Sequence, residues 1–341
     1  MKRVVTLGEI MLRLAPPGFA RFVQTDGFDA SYGGGEANVA VALANFGLEA
    51  AFVTKLPAHE MGQAAVNALR RYGVDTRHIV RGGNRIGIYF LERGANQRAS
   101  KVIYDRAGSA IAEATADEFD WDAIFDGADW FHFTGITPAI SPEAAALCLA
   151  AAQAARAKNI SVSCDLNYRK NLWTKAQANE TMAKLMPYVT HCIANEEDAA
   201  DVFNIHAPAT DINAGALNHD GYIDVAKQLT ARFGFAQVAI TLRQSLSASH
   251  NNWGALLYDG TAAHFSPTYE ITDIVDRVGG GDSFGAGLIY GLLNGFAPAD
   301  ALHFAVAASC LKHSIEGDFN HVSVAEVKAL AAGNASGRVQ R

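Results

Sequence analysis

The sequence predicts an α/β fold, a mostly parallel sheet covered by helices on both faces, with a small β lid beside it. Three observations carry this. Strand-like and helix-like runs alternate along almost the whole chain, the pattern of a buried parallel sheet. Two sections, 10–32 and 86–106, break the rhythm with short strands and no helix between them. No internal repeat or domain linker interrupts the chain, so one domain over 1–335 is expected, followed by a frayed tail at 336–341.

The elements follow in order. "RVVTLGEI" reads as the first strand, and "EANVAVALANFG" as the first helix after a loop. Then come the strand "AAFVTKL", the helix "GQAAVNALRRYG" and the paired lid strands "IGIYFLER" and "ASKVIYDR". "DWFHFTG", the helix "PEAAALCLAAAQAARAK" and the strand "ISVSCDLN" continue the alternation. A helix near 175–188, the strand "HCIAN", helices from 195 and at 222–233, the strand "QVAITL" and a hairpin at 253–265 come next. Helices near 282–294, 298–313 and 323–332 close the chain. The polar section 204–221 has no clear period and reads as a surface insertion.

Composition bounds the function. The chain has 341 residues, half of them apolar and 18% charged, enough for a sizeable core in a soluble protein. A net charge of −7 without Lys or Arg runs argues against nucleic acid and anionic membrane as partners. The four cysteines form no C-x-x-C pair and read as reduced core residues, which places the chain in the cytoplasm. Glu9 and Arg13 interrupt the N-terminal apolar stretch, which is a poor signal peptide and a good strand. No stretch approaches the roughly 18 apolar residues of a spanning helix. The 11 histidines show no metal-ligand spacing.

The most informative stretch is "DRVGGGDSFGAG", from Asp276 to Gly287. A glycine turn opening a helix suits an anion: its N–H groups are unspent and the helix dipole favours negative charge. A dinucleotide fingerprint would need Gly at 284, where Phe284 stands. A P-loop would need Lys at 286, where Ala286 stands. A serine esterase of the Gly-Asp-Ser type would use Ser283 with Asp318 and His321 of "DFNH", but its serine belongs after the first strand, not near the end of the chain. In a third reading Asp282 is a general base, taking a hydroxyl proton beside a glycine anion hole during phosphoryl transfer. On this turn alone, a plain helix cap by Asp282 and Ser283 is as good an account.

Here the residues resemble a known family. "DRVGGGDSFGAG" is similar to the C-terminal signature of the ribokinase-like (PfkB) sugar kinases, with Asp276, Gly279, Gly281, Asp282, Phe284 and Gly287 in place. "YGGGEANVAVALANFG" resembles the family's Gly-Gly run opening the first helix, with Gly34, Gly35 and Asn38 in register. The resemblance implies a three-layer α/β/α sandwich with a small β-sheet lid. It makes Asp282 the catalytic base and Gly279, Gly280 and Gly281 the anion hole, and implies ATP with Mg²⁺. The Mg²⁺ would be organised through waters by "NEED", with Asn195 in place and Asp198 where Glu is usual. Contacts to the nucleotide are expected from Thr241, Arg243, Ser245 and Ser247 of "TLRQSLSASHNNW", where Arg243 and Ser245 replace customary glycines, and from Gly279 and Gly281. Relatives also bind a monovalent cation near the positions of Asp276 and Val278.

Substrate class follows from charge. A sugar acid needs a cation, best an Arg that forks onto its carboxylate. Arg106 closes a lid strand with Tyr104 two residues back, and Arg169 follows a central strand. Singly, an Arg in a loop is more often solvated and a strand Tyr more often packing. Together with Tyr89 and Asn167 they resemble the 2-keto-3-deoxygluconate kinases of the family. Gly34, Gly35 and Asn38 would then bind the hydroxylated end of the substrate and Asp318 would lie near the acid. The expected reaction is ATP-dependent phosphorylation of 2-keto-3-deoxygluconate at its terminal hydroxyl, with a neutral-sugar kinase as the nearest alternative. Pairing with a second copy through the lid is expected.

Overall fold

The structure, a computed structural model, describes residues 1–195, 197–206 and 219–334. Most of the polar section at 204–221 and the tail at 336–341 lie outside the described residues.

Along the chain the strands are β1 (Arg3–Leu7), β2 (Met11–Ala15), β3 (Asp29–Gly33), β4 (Glu49–Val53), β5 (Lys55–Leu56), β6 (Val80–Arg81), β7 (Ile88–Glu92) and β8 (Lys101–Asp105). They continue as β9 (Trp130–Thr134), β10 (Ser161–Asp165), β11 (His191–Asn195), β12 (Gln237–Ser247), β13 (His250–Tyr258), β14 (Ala263–Phe265) and β15 (Tyr269–Ile271). The helices are α1 (Gly35–Asn45), α2 (Glu60–Arg70), α3 (Trp121–Ile124), α4 (Thr137–Ile140), α5 (Pro142–Ala157), α6 (Lys175–Leu185), α7 (Asp198–Phe203), α8 (His219–Phe233), α9 (Gly280–Leu293), α10 (Pro298–Lys312) and α11 (Val324–Ala331).

The main sheet has the order β14-β13-β12-β11-β10-β9-β1-β4, with β15 also on β13. From β4 to β12 every pairing is parallel, and β13 closes that side antiparallel. Parallel neighbours need helical crossovers, which is why helices separate these strands in sequence. A second sheet, β3-β2-β7-β8, has no helix of its own.

Side chains alternate across each strand, so one strand feeds two cores. Val5 and Leu7 of β1 join a cluster with Leu147 and Cys148 of α5, Met182 of α6 and Leu229 of α8. Val4 joins the opposite cluster with Val41 of α1, Ile289 of α9 and Phe304 of α10. The sheet is therefore the middle layer of three. Phe52, Phe131, Phe284 and Phe304 are among the largest fully buried side chains, and burial of each contributes roughly 1.5–3 kcal/mol.

Local signals set the helix ends. Ser141 accepts from the Ala144 N–H at the start of α5, Pro142 occupies the first turn, and Asn159 takes a left-handed φ of 59° just past its end.

Two expected boundaries move. The helix expected from 195 begins at Asp198, because Asn195 and residue 197 form its capping turn. The strand "QVAITL" continues to Ser247, since no glycine at 243 or 245 releases it from antiparallel pairing with β13.

Candidate active site

A cleft of about 1030 Å³ opens beyond the carboxyl ends of the main strands and under the second sheet. This is where an open α/β sheet binds ligands. Gly34, Gly35, Asn38, Tyr89, Tyr104, Arg106, Asn167, Arg169, Asn195, Asp198, Thr241, Arg243, Gly279, Gly280, Gly281, Asp282 and Asp318 all line it. Residues far apart in sequence converge because β1, β10, β11 and β12 end on the same edge.

The turn at α9 forms one wall. Gly279 caps the helix with φ 81°, and a Cβ there would lie 2.1 Å from the Asp318 carbonyl oxygen. Only glycine accepts both the conformation and the contact. A Cβ on Gly281 would meet nothing within 4 Å, so the backbone there is open to the cleft. Asp282 follows, and its Oδ2 accepts from Asn38 Nδ2 at 2.7 Å. Asn38 Oδ1 in turn accepts from the Gly34 N–H at 3.2 Å. The two glycine motifs thus meet through one hydrogen-bonded pair. Burial pushes the Asp282 carboxyl up to about 6, against the pull of Asn38, while Asp318 raises it and Arg169 and Lys312 lower it.

The acidic edge is denser than the motifs suggest. Asp165 ends β10, and burial together with Asp198 and Asp282 raises its carboxyl well above the usual range. Burial also raises Asp198, although its Oδ1 accepts from the Tyr168 N–H and its Oδ2 from the Asn195 N–H, each at 3.0 Å. The Asn195 side chain is itself engaged: its Oδ1 accepts from the N–H groups of Glu197 at 2.8 Å and Asp198 at 2.9 Å.

The two candidate arginines differ. Arg106 is tethered, with Nε 2.9 Å from Glu9 Oε2 and its guanidinium 4.8 Å from the Tyr104 ring centroid. Arg169 is exposed at the cleft, and its guanidinium pairs with no carboxylate among the described residues. Tyr89 is buried and its hydroxyl lies 2.6 and 2.7 Å from the two Asp318 oxygens. Asp318 also accepts from Arg13 Nη1 at 2.7 Å, so its carboxylate is already committed.

Three readings find no support in the described residues. Ser245 and Ser247 do not line the cleft. They sit on the extension of β12, and at roughly 3.3 Å per residue each step carries them farther from Thr241. The esterase reading fails because the buried Ser283 hydroxyl donates to the Gly279 carbonyl at 2.8 Å, Asp318 serves Arg13 and Tyr89, and His321 stacks 4.9 Å from Tyr72. A monovalent cation at Asp276 does not fit the residues present. One Asp276 oxygen accepts from the Val278 N–H at 3.1 Å, and the other accepts from Arg13 Nη2 and the Gly317 N–H.

A pfkB family carbohydrate kinase model matches residues 1–320. The chain belongs to the pfkB family of carbohydrate kinases. Its fold is the family's ribokinase-like α/β/α sandwich and its reaction class is phosphoryl transfer to a carbohydrate hydroxyl. The structure of the Thermotoga maritima 2-dehydro-3-deoxygluconokinase is 52% identical, with TM-score 0.94, covering 98% of this chain and 100% of that one. The Haloferax volcanii 2-dehydro-3-deoxygalactonokinase is 32% identical over 334 residues, 98% of each protein. The Bacillus subtilis 2-dehydro-3-deoxygluconokinase is 28% identical, covering 94% of this chain and 93% of that protein.

Within this kinase several cleft residues escaped the motif reading. Glu9, Asp165 and Arg277 line the cleft, and Arg13 lies just behind it. Each carried a weak signal. Arg13 interrupts an apolar strand, and Asp165 ends an apolar one at the carboxyl edge. Arg277 sits inside the glycine signature, where its Nη2 donates to the Ser247 carbonyl at 2.9 Å and the Ala248 carbonyl at 2.7 Å.

Proposed function

We propose that this kinase uses ATP to phosphorylate 2-keto-3-deoxygluconate at its terminal hydroxyl. The observation that carries the sugar-acid reading is the unpaired guanidinium of Arg169 in the same cleft as Asp282. A cation that forms no ion pair among the described residues, at the carboxyl edge, suits the carboxylate of an acid substrate. The names of the 52% and 28% identical relatives support the same substrate.

In this reading Asp282 accepts the proton of the attacking hydroxyl, held in line by Asn38. The N–H groups of Gly279, Gly280 and Gly281 stabilise the charge on the phosphoryl group. Arg169 and Asn167 hold the acid end, with Arg106 and Tyr104 above it. Gly34, Gly35 and Asn38 take the hydroxylated end. The Tyr89 ring forms a wall, and Asp318 positions it. Thr241 and Arg243 contact the nucleotide phosphates. Mg²⁺ fits the crowded carboxylates, whose mutual repulsion a divalent cation relieves. Asp198, kept in place by Asn195, and Asp165 would hold it through waters, and it would neutralise phosphate charge when bound. Closure of the second sheet as a lid excludes water. On β8, Ile103 alternates away from the cleft-lining Val102 and Tyr104 and is 55% exposed, apolar surface suited to a second copy of the chain.

The deciding experiment measures ATP turnover with 2-keto-3-deoxygluconate, 2-keto-3-deoxygalactonate, fructose and ribose. Preference for 2-keto-3-deoxygluconate by a factor of ten or more in kcat/KM is expected. Preference for the galactonate would match the Haloferax volcanii relative and transfer the assignment to that epimer. Fast turnover of a neutral sugar without turnover of either acid would overturn the sugar-acid reading.

A further inference from the structure

Directly behind the anion turn lies a closed set of charges of which the phosphoryl-transfer reading uses only Asp318. Lys312, at the end of α10, is fully buried with 0% exposure. Its Nζ donates to the Ile315 carbonyl at 3.0 Å, and its Cε lies 3.4 Å from where a Gly279 Cβ would stand. A buried lysine without compensation is costly, so something must hold its charge. Burial pulls the ammonium below its ordinary value, and the buried Asp276 and Asp318 oppose that pull more strongly than Asp282 does. Arg13 bridges the same two carboxylates from β2. Two buried cations and two buried carboxylates therefore balance beneath Gly279, with no carboxylate left over for a further positive ion.

We propose that the Lys312 ammonium is the built-in cation of this kinase, standing in for a dissociable monovalent ion behind the turn of Gly279, Gly280 and Gly281. The inference rests on the kinase reading. Lys312 touches neither the turn's open face nor the substrate pocket, so it is a positioning residue. It keeps positive potential under the turn. Its ammonium also favours the ionised form of Asp282. The groups facing this set are Arg13 of β2, Tyr89 of β7, Asp276 and Asp282 at the turn, His313 against Gly280, and Asp318 and His321 beyond α10, with Arg169 acting on Asp282 across the cleft.

Three measurements on the full chain test this. First, kcat with ATP and sugar acid is compared in potassium, sodium and tetramethylammonium chloride at equal ionic strength. Values within twofold are expected; tenfold activation by potassium overturns the proposal. No turnover in any salt would instead count against the kinase reading. Second, thermal melting is followed as potassium replaces tetramethylammonium. An unchanged Tm is expected, and a potassium-specific rise above about 3 °C overturns the proposal by showing an ion that binds the folded state. Third, Lys312→Met should lower kcat at least tenfold with KM for the sugar acid within threefold, and should move the acid limb of the pH profile upward. Lys312→Arg should recover part of kcat. A folded Lys312→Met with kcat within twofold of the parent and an unmoved pH profile overturns the proposal. Should that variant fail to fold, the salt and melting measurements still decide.

Discussion

Asp282 shows how one residue trades stability for chemistry. Its folded-state carboxyl titrates at about 6, above its ordinary 3.8, because burial favours the neutral form. Two outcomes follow. The proposed base works as the carboxylate, so kcat/KM should fall as pH drops through about 6, read from a pH–rate profile; a flat profile down to pH 5 would contradict the base assignment. Stability runs the other way. A raised folded value contributes stability that is fully present below the unfolded value and is lost as pH rises through about 6. Asp282→Asn removes that charge, so at pH 8 it should melt higher, by about 1 to 3 kcal/mol of stability, while kcat falls roughly 10²- to 10⁴-fold. Arg169→Ala is the companion test. It should raise KM for a sugar acid far more than for a neutral analogue, and equal effects would remove the carboxylate role.

At the scale of elements, the position of α9 decides whether Asp282 is useful at all. The helix is pinned against α10 by close approach: a Cβ on Gly287 would lie 2.7 Å from Ala305 Cα. Gly287→Val should therefore overpack this contact, costing about 1–3 kcal/mol or more. Urea unfolding would show it as a lower midpoint at unchanged slope. Since α9 carries the turn and the proposed base together, kcat should fall in the same variant. The β12–β13 hairpin teaches the opposite lesson. Its long ladder keeps the strand extended to Ser247, so of the nucleotide contacts expected on this strand Thr241 and Arg243 line the cleft and Ser245 and Ser247 do not. The loop expected there rested on a family pattern whose glycines this chain lacks, and Arg243 and Ser245 pair as strand residues do.

At the scale of the molecule, Arg13 ties the second sheet to the main body. It links β2 near the N-terminus to Asp276 and Asp318 near the C-terminus. Burial works against its charge, yet Asp318 and Asp276 hold the guanidinium above its ordinary value. Removing one member of a buried charge set leaves the others uncompensated. Arg13→Met should cost about 3–5 kcal/mol, measured by thermal or urea unfolding, and a loss below about 1 kcal/mol would show that the set relaxes or hydrates.

Much of this protein was legible before any fold was known. The alternation of strand and helix runs dictates a parallel sheet with two covered faces, because parallel neighbours require crossovers. The two glycine motifs point to an anion turn and a base, because only certain residue types tolerate those backbone shapes and charges. Those signals are local, and local physics determined them. What the sequence left undecided depends on partners distant in the chain. Whether Asp282 caps a helix or also faces a cleft rests on Asn38 arriving from α1. Whether an arginine is available rests on what it meets: Glu9 engages Arg106, Asp276 and Asp318 engage Arg13, and Arg169 forms no ion pair among the described residues. Lys312 reads as an ordinary last-turn lysine until α10 buries it under Gly279. Charge pairing across the fold is a tertiary property, because an ion's environment is set by neighbours that sequence spacing does not reveal.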